Sequence, residues 1–502
     1  MKKEQGLELA RNSLWSAIGS IGNSIGTLLC NIAVARILGP QGAGEWAYII
    51  WLTATVGIFI GIGLPEALTR YVAELRGFNL VNEANKLTFA ILKYSFILTI
   101  IGLFITIILL IYGNNYTIQI LYISVFLFVS QRAANLARAY LSGEQRFKEL
   151  AYWMIASTVT QILLIVITSQ IWGVAGALCS FSLGIMVLGL PLVFVFKLKQ
   201  NENIFQADFY QRVKNYALIT WLSTIISMLV WQRMEIAFLE HYYSSREVGI
   251  FNIGLTTALM VSQAPAYLSG ALIPFFAKSF GQNDRHTISR TYFFAIKFIA
   301  ALNFPICFIG AALSQPLTEF LYGSAFSDAS IVSAVMLIAA AFAGTSTVQS
   351  ALVQGMDRPW FISASGIIGA ILIMIIGFGV IPVWGIIGTA VSKASIQVIM
   401  VLLGTWYINH FLKFTFPLLS IFKIIIASTI AALVAYISFI KISNLTGCLL
   451  GLFFGIIAFI LSGKTLKIWN LDEKKNMLIY VELFLQKSTG QYKIVSRLIE
   501  VL

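Results

Sequence analysis

Charge is scarce in this chain. Only 11% of its 502 residues are Asp, Glu, Lys or Arg, where soluble domains carry about a quarter. A chain so composed cannot cover a water-facing surface, which excludes a soluble fold. Acid is scarcer than base, with 21 Asp and Glu against 34 Lys and Arg and a formal net charge of +13. The four cysteines, Cys30, Cys179, Cys307 and Cys448, lie singly in apolar runs, which excludes a disulfide framework and a thiolate metal site. His241, His286 and His410 are equally scattered, so no metal ion and no cofactor is expected. A membrane polymerase or glycosyltransferase needs converging carboxylates or histidines, usually on a sizeable loop. Here the outer loops are short and their acids, Glu240, Glu247, Glu319 and Asp328, are dispersed, so no catalytic residue is assigned. A cleavable signal is also missing, since the first apolar run is too long and has no clean cleavage site.

Long apolar runs fill the rest. The chain is 58% hydrophobic with a mean hydropathy of +0.85. Read against a bilayer-spanning length of about 20 residues, it yields an all-α membrane protein of about 14 helices. The helices centre near Ile25, Val56, Ile101, Leu127, Leu163, Val187, Ile226, Met260, Ala301, Ile338, Ile371, Ala394, Ala431 and Phe453. Basic residues collect at alternate helix ends, among them Arg70, Arg76, Arg146, Lys148, Arg212, Lys278, Arg290 and Arg358. The positive-inside rule then places both termini in the cytoplasm of a multi-pass cell-membrane protein. The excess charge serves topology and anionic lipid headgroups, and no nucleic acid is expected as a partner.

The chain also repeats itself. Ser142-Gly143-Glu144-Gln145-Arg146 leads to Trp172-Gly173, and Gln354-Gly355-Met356-Asp357-Arg358 leads to Trp384-Gly385 at the same interval. Only these two of the eleven tryptophans are followed by glycine, so the match argues for a duplication rather than chance. Leu64-Pro65 has a counterpart in Ile273-Pro274, and Ala43-Gly44-Glu45-Trp46 a weaker one in Val248-Gly249-Ile250-Phe251. Six helices per repeat return the chain to the same side, so the repeats are parallel. The expected organisation is an N-lobe over residues 1–200 (helices 1–6), a C-lobe over 201–410 (helices 7–12), two extra helices over 411–466 and a cytoplasmic amphipathic tail over 467–502.

Polar groups inside membrane helices are expensive, so those present point to a cavity or a partner. Gln131, Arg132, Asn135 and Arg138 fall within about 120° of the fourth helix. Thr389, Lys393 and Gln397 share a face of the twelfth helix, and Lys297 sits one to two turns inside the ninth. The seventh helix is expected to carry Thr220, Thr224, Ser227, Trp231 and Glu235 on one face, with Arg233 on another. Arg132, Arg138, Arg233, Lys297 and Lys393 form the candidate cationic cavity, suited to a phosphate or pyrophosphate. Glu235 is the candidate site for coupling to H+ or Na+.

The segment from Ala35-Arg36-Ile37-Leu38-Gly39-Pro40 to Gly44 resembles the polysaccharide biosynthesis family of membrane exporters, as do Gly63-Leu64-Pro65-Glu66 to Glu74 and Glu247-Val248-Gly249-Ile250-Phe251. That superfamily also holds multidrug exporters and flippases of lipid-linked peptidoglycan precursors. The resemblance implies a flippase that moves an undecaprenyl-pyrophosphate-linked oligosaccharide from the inner to the outer leaflet. It also implies two six-helix lobes around a cationic cavity that opens alternately to each side. Other polysaccharide-assembly membrane proteins are the expected partners. A multidrug cation exporter would want deep acids that the first helix lacks, and a peptidoglycan-precursor flippase shares the pyrophosphate.

Overall fold

The computed structural model describes residues 2–113, 116–195, 207–231, 233–270, 272–442, 444–470 and 473–474. Every described segment is helical or a short connection, and no strand occurs among the described residues. The first eight helices are α1 (Lys2–Gly61), α2 (Leu64–Gly77), α3 (Val81–Gly113), α4 (Ile118–Gly143), α5 (Phe147–Gly189), α6 (Leu192–Val195), α7 (Ala207–Trp231) and α8 (Glu235–Tyr242). Then come α9 (Ser245–Gly270), α10 (Leu272–Gly281), α11 (Arg285–Ala312), α12 (Ser314–Tyr322), α13 (Ala329–Gly355), α14 (Trp360–Gly379) and α15 (Ile381–Tyr407). A hairpin of α16 (Leu418–Lys441) and α17 (Leu445–Thr465) ends the described fold. Among the described residues, ten helices are long and apolar enough to cross a membrane. Two of these, Leu14–Gly61 and Phe147–Gly189, run to 48 and 43 residues, enough for two crossings each at about 20 residues per crossing. The protein is an all-α, multi-pass membrane protein, and all fourteen helix centres expected from hydropathy fall inside helices.

The chain divides into two compact units, Met1–Asn252 and Ile253–Leu502. In the first, α5 packs along both α1 and α4, and α2 lies on α4. Tyr71, Leu75, Leu87, Ile91, Tyr140 and Leu141 form the core where α2, α3 and α4 meet. In the second, α13 packs between α11 and α15, and the α16–α17 hairpin lies on α11.

The duplicated segment has duplicated geometry. Gly173 and Gly385 break α5 and α15 at nearly identical dihedrals, φ 57°, ψ −135° and φ 54°, ψ −136°. That left-handed region is where glycine carries no Cβ penalty. Upstream, α4 and α13 end in the same turn: Arg146 N–H donates to Leu141 O and Arg358 N–H to Val353 O, with Gln145 and Asp357 at φ 57° and 58°. The last glycine of each helix is also a point of close approach. A Cβ on Gly143 would sit 3.1 Å from Thr69 O of α2, and one on Gly355 3.0 Å from Ile273 O of α10. A further match escapes the residue pattern: α2 and α10 end alike, with Asn79 and Asn283 at φ 60° and 55°.

One expected element is corrected. Glu235 and Arg233 do not belong to the seventh helix, because α7 stops at Trp231 and Glu235 opens α8. Arg233 O and Met234 O accept the first hydrogen bonds of α8, from Ile236 N–H and Ala237 N–H. The interruption lets the Arg233 guanidinium donate to Asn252 Oδ1 of α9 while Glu235 is buried in the first turn of α8. The tail stretches Met477–Val481 and Val495–Ile499, and the linker between residues 196 and 206, lie outside the described residues.

Candidate functional site: a cationic cavity at a helix break

The first unit holds a cavity built around the break between α1 and α2. Ile62 and Gly63 take φ of 46° and 65°, and two successive left-handed residues cannot continue an α-helix. Pro65 follows in the first turn of α2, where its missing N–H costs nothing. Gly63 is also pressed against α7, since a Cβ there would lie 2.0 Å from Ala217 O. The break therefore exposes the last carbonyls of α1 and the first turn of α2 side by side, a form that membrane transporters use at binding sites.

Two side chains close over those carbonyls. Trp221 Nε1–H of α7 donates to Ile58 O and Phe59 O at 3.1 and 3.0 Å. Arg132 Nη1–H of α4 donates to Gly57 O at 3.0 Å, a cation at the negative end of a helix. The seat for Arg132 is a pair of glycines one turn apart. A Cβ on Gly57 would be 3.6 Å from Arg132 Cδ, and one on Gly61 3.2 Å from its Nη1. Arg132 is only 3% exposed. Its Nε and Nη2 have no hydrogen-bond partner among the described residues. Both nitrogens are themselves enclosed, and a buried N–H without an acceptor is costly.

The cavity has a volume of about 410 Å³. Asn135 and Arg138 extend the Arg132 stripe along α4 into it, and both are exposed there. Glu66 and Thr69 from α2, Ser142 from α4 and Thr224 from α7 add polar groups, and Ile58 and Trp221 add apolar surface. Two guanidiniums against one carboxylate leave the lining net positive, and guanidinium forks match the oxygens of phosphate groups. Among the described residues no group of His, Cys, Asp and Glu could hold a metal ion.

Of the residues singled out in the sequence, the structure brings Arg132 and Arg138 together in this cavity, with Asn135 between them. Arg233 is held elsewhere in the same unit: Asn252, which accepts from it, donates through Nδ2 to Asn31 Oδ1 at 3.3 Å. Glu235 is 2% exposed and does not line the cavity. Lys393 and Lys297 belong to the second unit, each 2% exposed. Lys297 is ion-paired with Glu473, at 2.7 Å. Glu66 and Trp221 were not anticipated. The signal for Glu66 was present in Gly63-Leu64-Pro65-Glu66, a helix break followed at once by a carboxylate; Trp221 carries none, because its role depends on the tertiary fit of α7 to α1.

Comparison with known proteins bears on the family and the fold. The chain is 21% identical over 473 residues to the probable low-salt glycan biosynthesis flippase Agl15 of Haloferax volcanii, covering 90% of this chain and 95% of that protein. The fold is shared with the lipid II flippase MurJ in an inward closed conformation, at a TM-score of 0.72 and 17% identity over 90% of this chain and 98% of that one. An inward-facing multidrug resistance transporter of the MATE family gives a TM-score of 0.63 at 14% identity, covering 78% and 96% of the two chains. Residues 33–331, more than half of the sequence, match the family described as polysaccharide biosynthesis protein, and the chain belongs to that family.

Proposed function

We propose that this protein is a flippase that carries an undecaprenyl-pyrophosphate-linked oligosaccharide from the inner to the outer leaflet by alternating access. The observation that carries this reading is Arg132, buried in the cavity wall, anchored by one nitrogen to Gly57 O, with Nε and Nη2 left without a protein acceptor among the described residues. Those two N–H groups are desolvated with no protein acceptor among the described residues, so an anion that reaches and accepts from both is favoured. Arg138 supplies the second cation, one or two turns along α4, as a two-phosphate head requires. A cavity of about 410 Å³ lies near the lower end of the range for small-ligand sites, about 300–1,000 Å³. It suits a pyrophosphate with its first sugar; the remaining sugars and the lipid extend beyond it. The membership in a polysaccharide biosynthesis family and the glycan-flippase name of the Haloferax relative support the same substrate class.

The fold likeness to the lipid II flippase keeps a peptidoglycan precursor as the second reading, since its head is also a pyrophosphate. A multidrug cation is disfavoured by the net positive lining. Both termini are proposed to be cytoplasmic, and Glu235, buried at the start of α8, is proposed to couple transport to H+ or Na+.

The test is reconstitution into vesicles with a fluorescent polyprenyl-pyrophosphate-linked sugar. Leaflet exchange that depends on the protein and falls in Arg132→Ala and Arg138→Ala supports the reading. Equal exchange of a neutral glycolipid, or full activity in both variants, sinks it. A preference for a peptidoglycan-precursor head over other glycans selects the second reading.

A further inference from the structure

The chain that leaves α17 does not run free. Leu466 N–H, Lys467 N–H and Ile468 N–H bond to Ser462 O, Lys464 O and Gly463 O, with Lys467 at φ 49°. This is a helix-ending turn that closes α17 and reverses the chain. It delivers Ile468 and Trp469 into buried positions, 3% and 8% exposed. Trp469 packs on Phe294 of α11, ring centroids 6.1 Å apart, and its face lies 4.9 Å from Lys297 Nζ. Glu473 then meets Lys297 with both oxygens, at 2.7 and 2.9 Å. The same carboxylate accepts from Asn470 N–H at 2.8 Å, which fixes its direction.

Lys297 is 2% exposed, among the largest fully buried side chains of the protein. A lysine so placed needs a counter-charge, and Glu473, 176 residues away, supplies it with an aromatic face alongside. A second contact ties the same elements further along α11. A Cβ on Gly455 of α17 would lie 3.0 Å from Ile309 Cδ1 and 3.1 Å from Ala431 O. Lys297 and Ile309 are separated by roughly 18 Å along the helix axis at 1.5 Å per residue. α16 already packs along α11, and these two contacts add ties from α17 and the chain beyond it at points far apart on the same helix.

We propose that Leu466–Asn470, together with Glu473, forms a strap, with Lys297 as its receptor, that stays closed through the transport cycle and helps the α16–α17 hairpin move as one body with α11. Lys297 is then a positioning residue for the tail and not a ligand of the transported anion. Hydrogen exchange tests the strap in the full-length protein without any knowledge of the substrate. In Glu473→Gln, Lys297 keeps its charge and loses its partner, so protection of the amides of Ile468 and Lys474 falls by about 100- to 1,000-fold. The charge-exchanged double variant, Lys297→Glu with Glu473→Lys, recovers most of that protection. Unchanged protection in Glu473→Gln overturns the strap.

Closure through the cycle is tested with Lys297→Cys paired with Glu473→Cys, joined by a reducible bis-methanethiosulfonate linker of the ion pair's reach. The oxidised form is the linked one, its yield confirmed by mass, and the reduced form is the cleaved one. Leaflet exchange of the lipid-pyrophosphate sugar at the same rate in the oxidised and reduced forms supports the proposal, with the parent chain and its four native cysteines as control. Exchange that stops on oxidation and returns on reduction overturns it. This arm rests on the proposed flippase activity, and an inactive parent would count against that activity while leaving the exchange result to decide the strap. Retained transport in the charge-exchanged variant supports a positioning role. Its complete loss despite restored protection would overturn that role and return Lys297 to the substrate path.

Discussion

Replacing Arg132 with lysine separates charge from geometry. The native guanidinium spends Nη1 on Gly57 O at 3.0 Å and leaves Nε and Nη2 without a protein acceptor among the described residues, free in the proposed reading for a ligand. Lysine preserves the charge but has a single nitrogen, which cannot cap the end of α1 and fork onto a phosphate at once. A hydrogen bond to a charged group is worth about 1.5–3 kcal/mol, so losing one ligand bond weakens binding by roughly 10- to 150-fold. Arg132→Ala loses both ligand bonds and the cap as well, and falls further. The assay is equilibrium binding of a short-chain prenyl-pyrophosphate sugar to detergent-purified protein, with size-exclusion profiles to show that each variant folds. The same titration with the monophosphate gives a smaller difference between Arg and Lys. An Arg132→Lys protein that is well folded and binds the pyrophosphate with unchanged affinity would refute the reasoning, because it would mean that the two unmet N–H groups face no ligand.

Three further outcomes follow from the backbone and its caps. Gly63→Ala combines a left-handed cost of about 1–2 kcal/mol with a Cβ 2.0 Å from Ala217 O, whereas Gly77→Ala, at the other end of α2, carries neither, having nothing within 4 Å. Thermal unfolding in detergent should therefore rank Gly63→Ala well below Gly77→Ala, and equal losses would contradict the close approach of α7. Trp221→Phe removes one N–H from Ile58 O and Phe59 O at a cost of about 1 kcal/mol; faster amide exchange at the end of α1, with little change elsewhere, is the expected signature. Asp284 caps α11 by accepting from Thr287 N–H, and the Thr287 side chain, together with that backbone bond, holds its carboxyl below the usual carboxylate range. Because the native value is lowered, the cap contributes fully above the unfolded value of about 3.9 and fades as pH falls through the native one. Protection of the first turn of α11 should follow that course in the native protein and be flat with pH in Asp284→Asn.

The helices were legible because hydropathy and length act locally: each of the fourteen centres depends on about twenty neighbouring residues. The duplication was legible for a related reason. A glycine at φ 57° or 54° is a local demand, so the Trp-Gly pairs mark the same break twice. The Arg132–Arg138 stripe could be read from helical spacing, and the structure places it in one cavity. What could not be read was anything that depends on a distant partner. Lys297 looks like a deep cation until Glu473 is brought to it, and Arg233 until Asn252 is. The stop at Trp231 has no glycine or proline to announce it, and Arg233 beyond it bonds to Asn252, a partner the local sequence does not reveal. Glu66 was quoted as part of a motif without a role, since only the close fit of α7 at Gly63 shows that the break is the wall of a cavity.

The one-residue breaks at Gly39 and Gly173 also bear on how the protein is made. Each joins two apolar arms with no polar loop between them, so neither arm can be delivered to the far side of the membrane ahead of the other. The pair has to enter the bilayer together as a preformed hairpin, and its two arms share one depth from the moment of insertion. Residues added beside such a glycine would push both arms out of register with the hydrocarbon layer. Length changes at these corners should therefore be felt first as failed biogenesis, before any step of transport is reached.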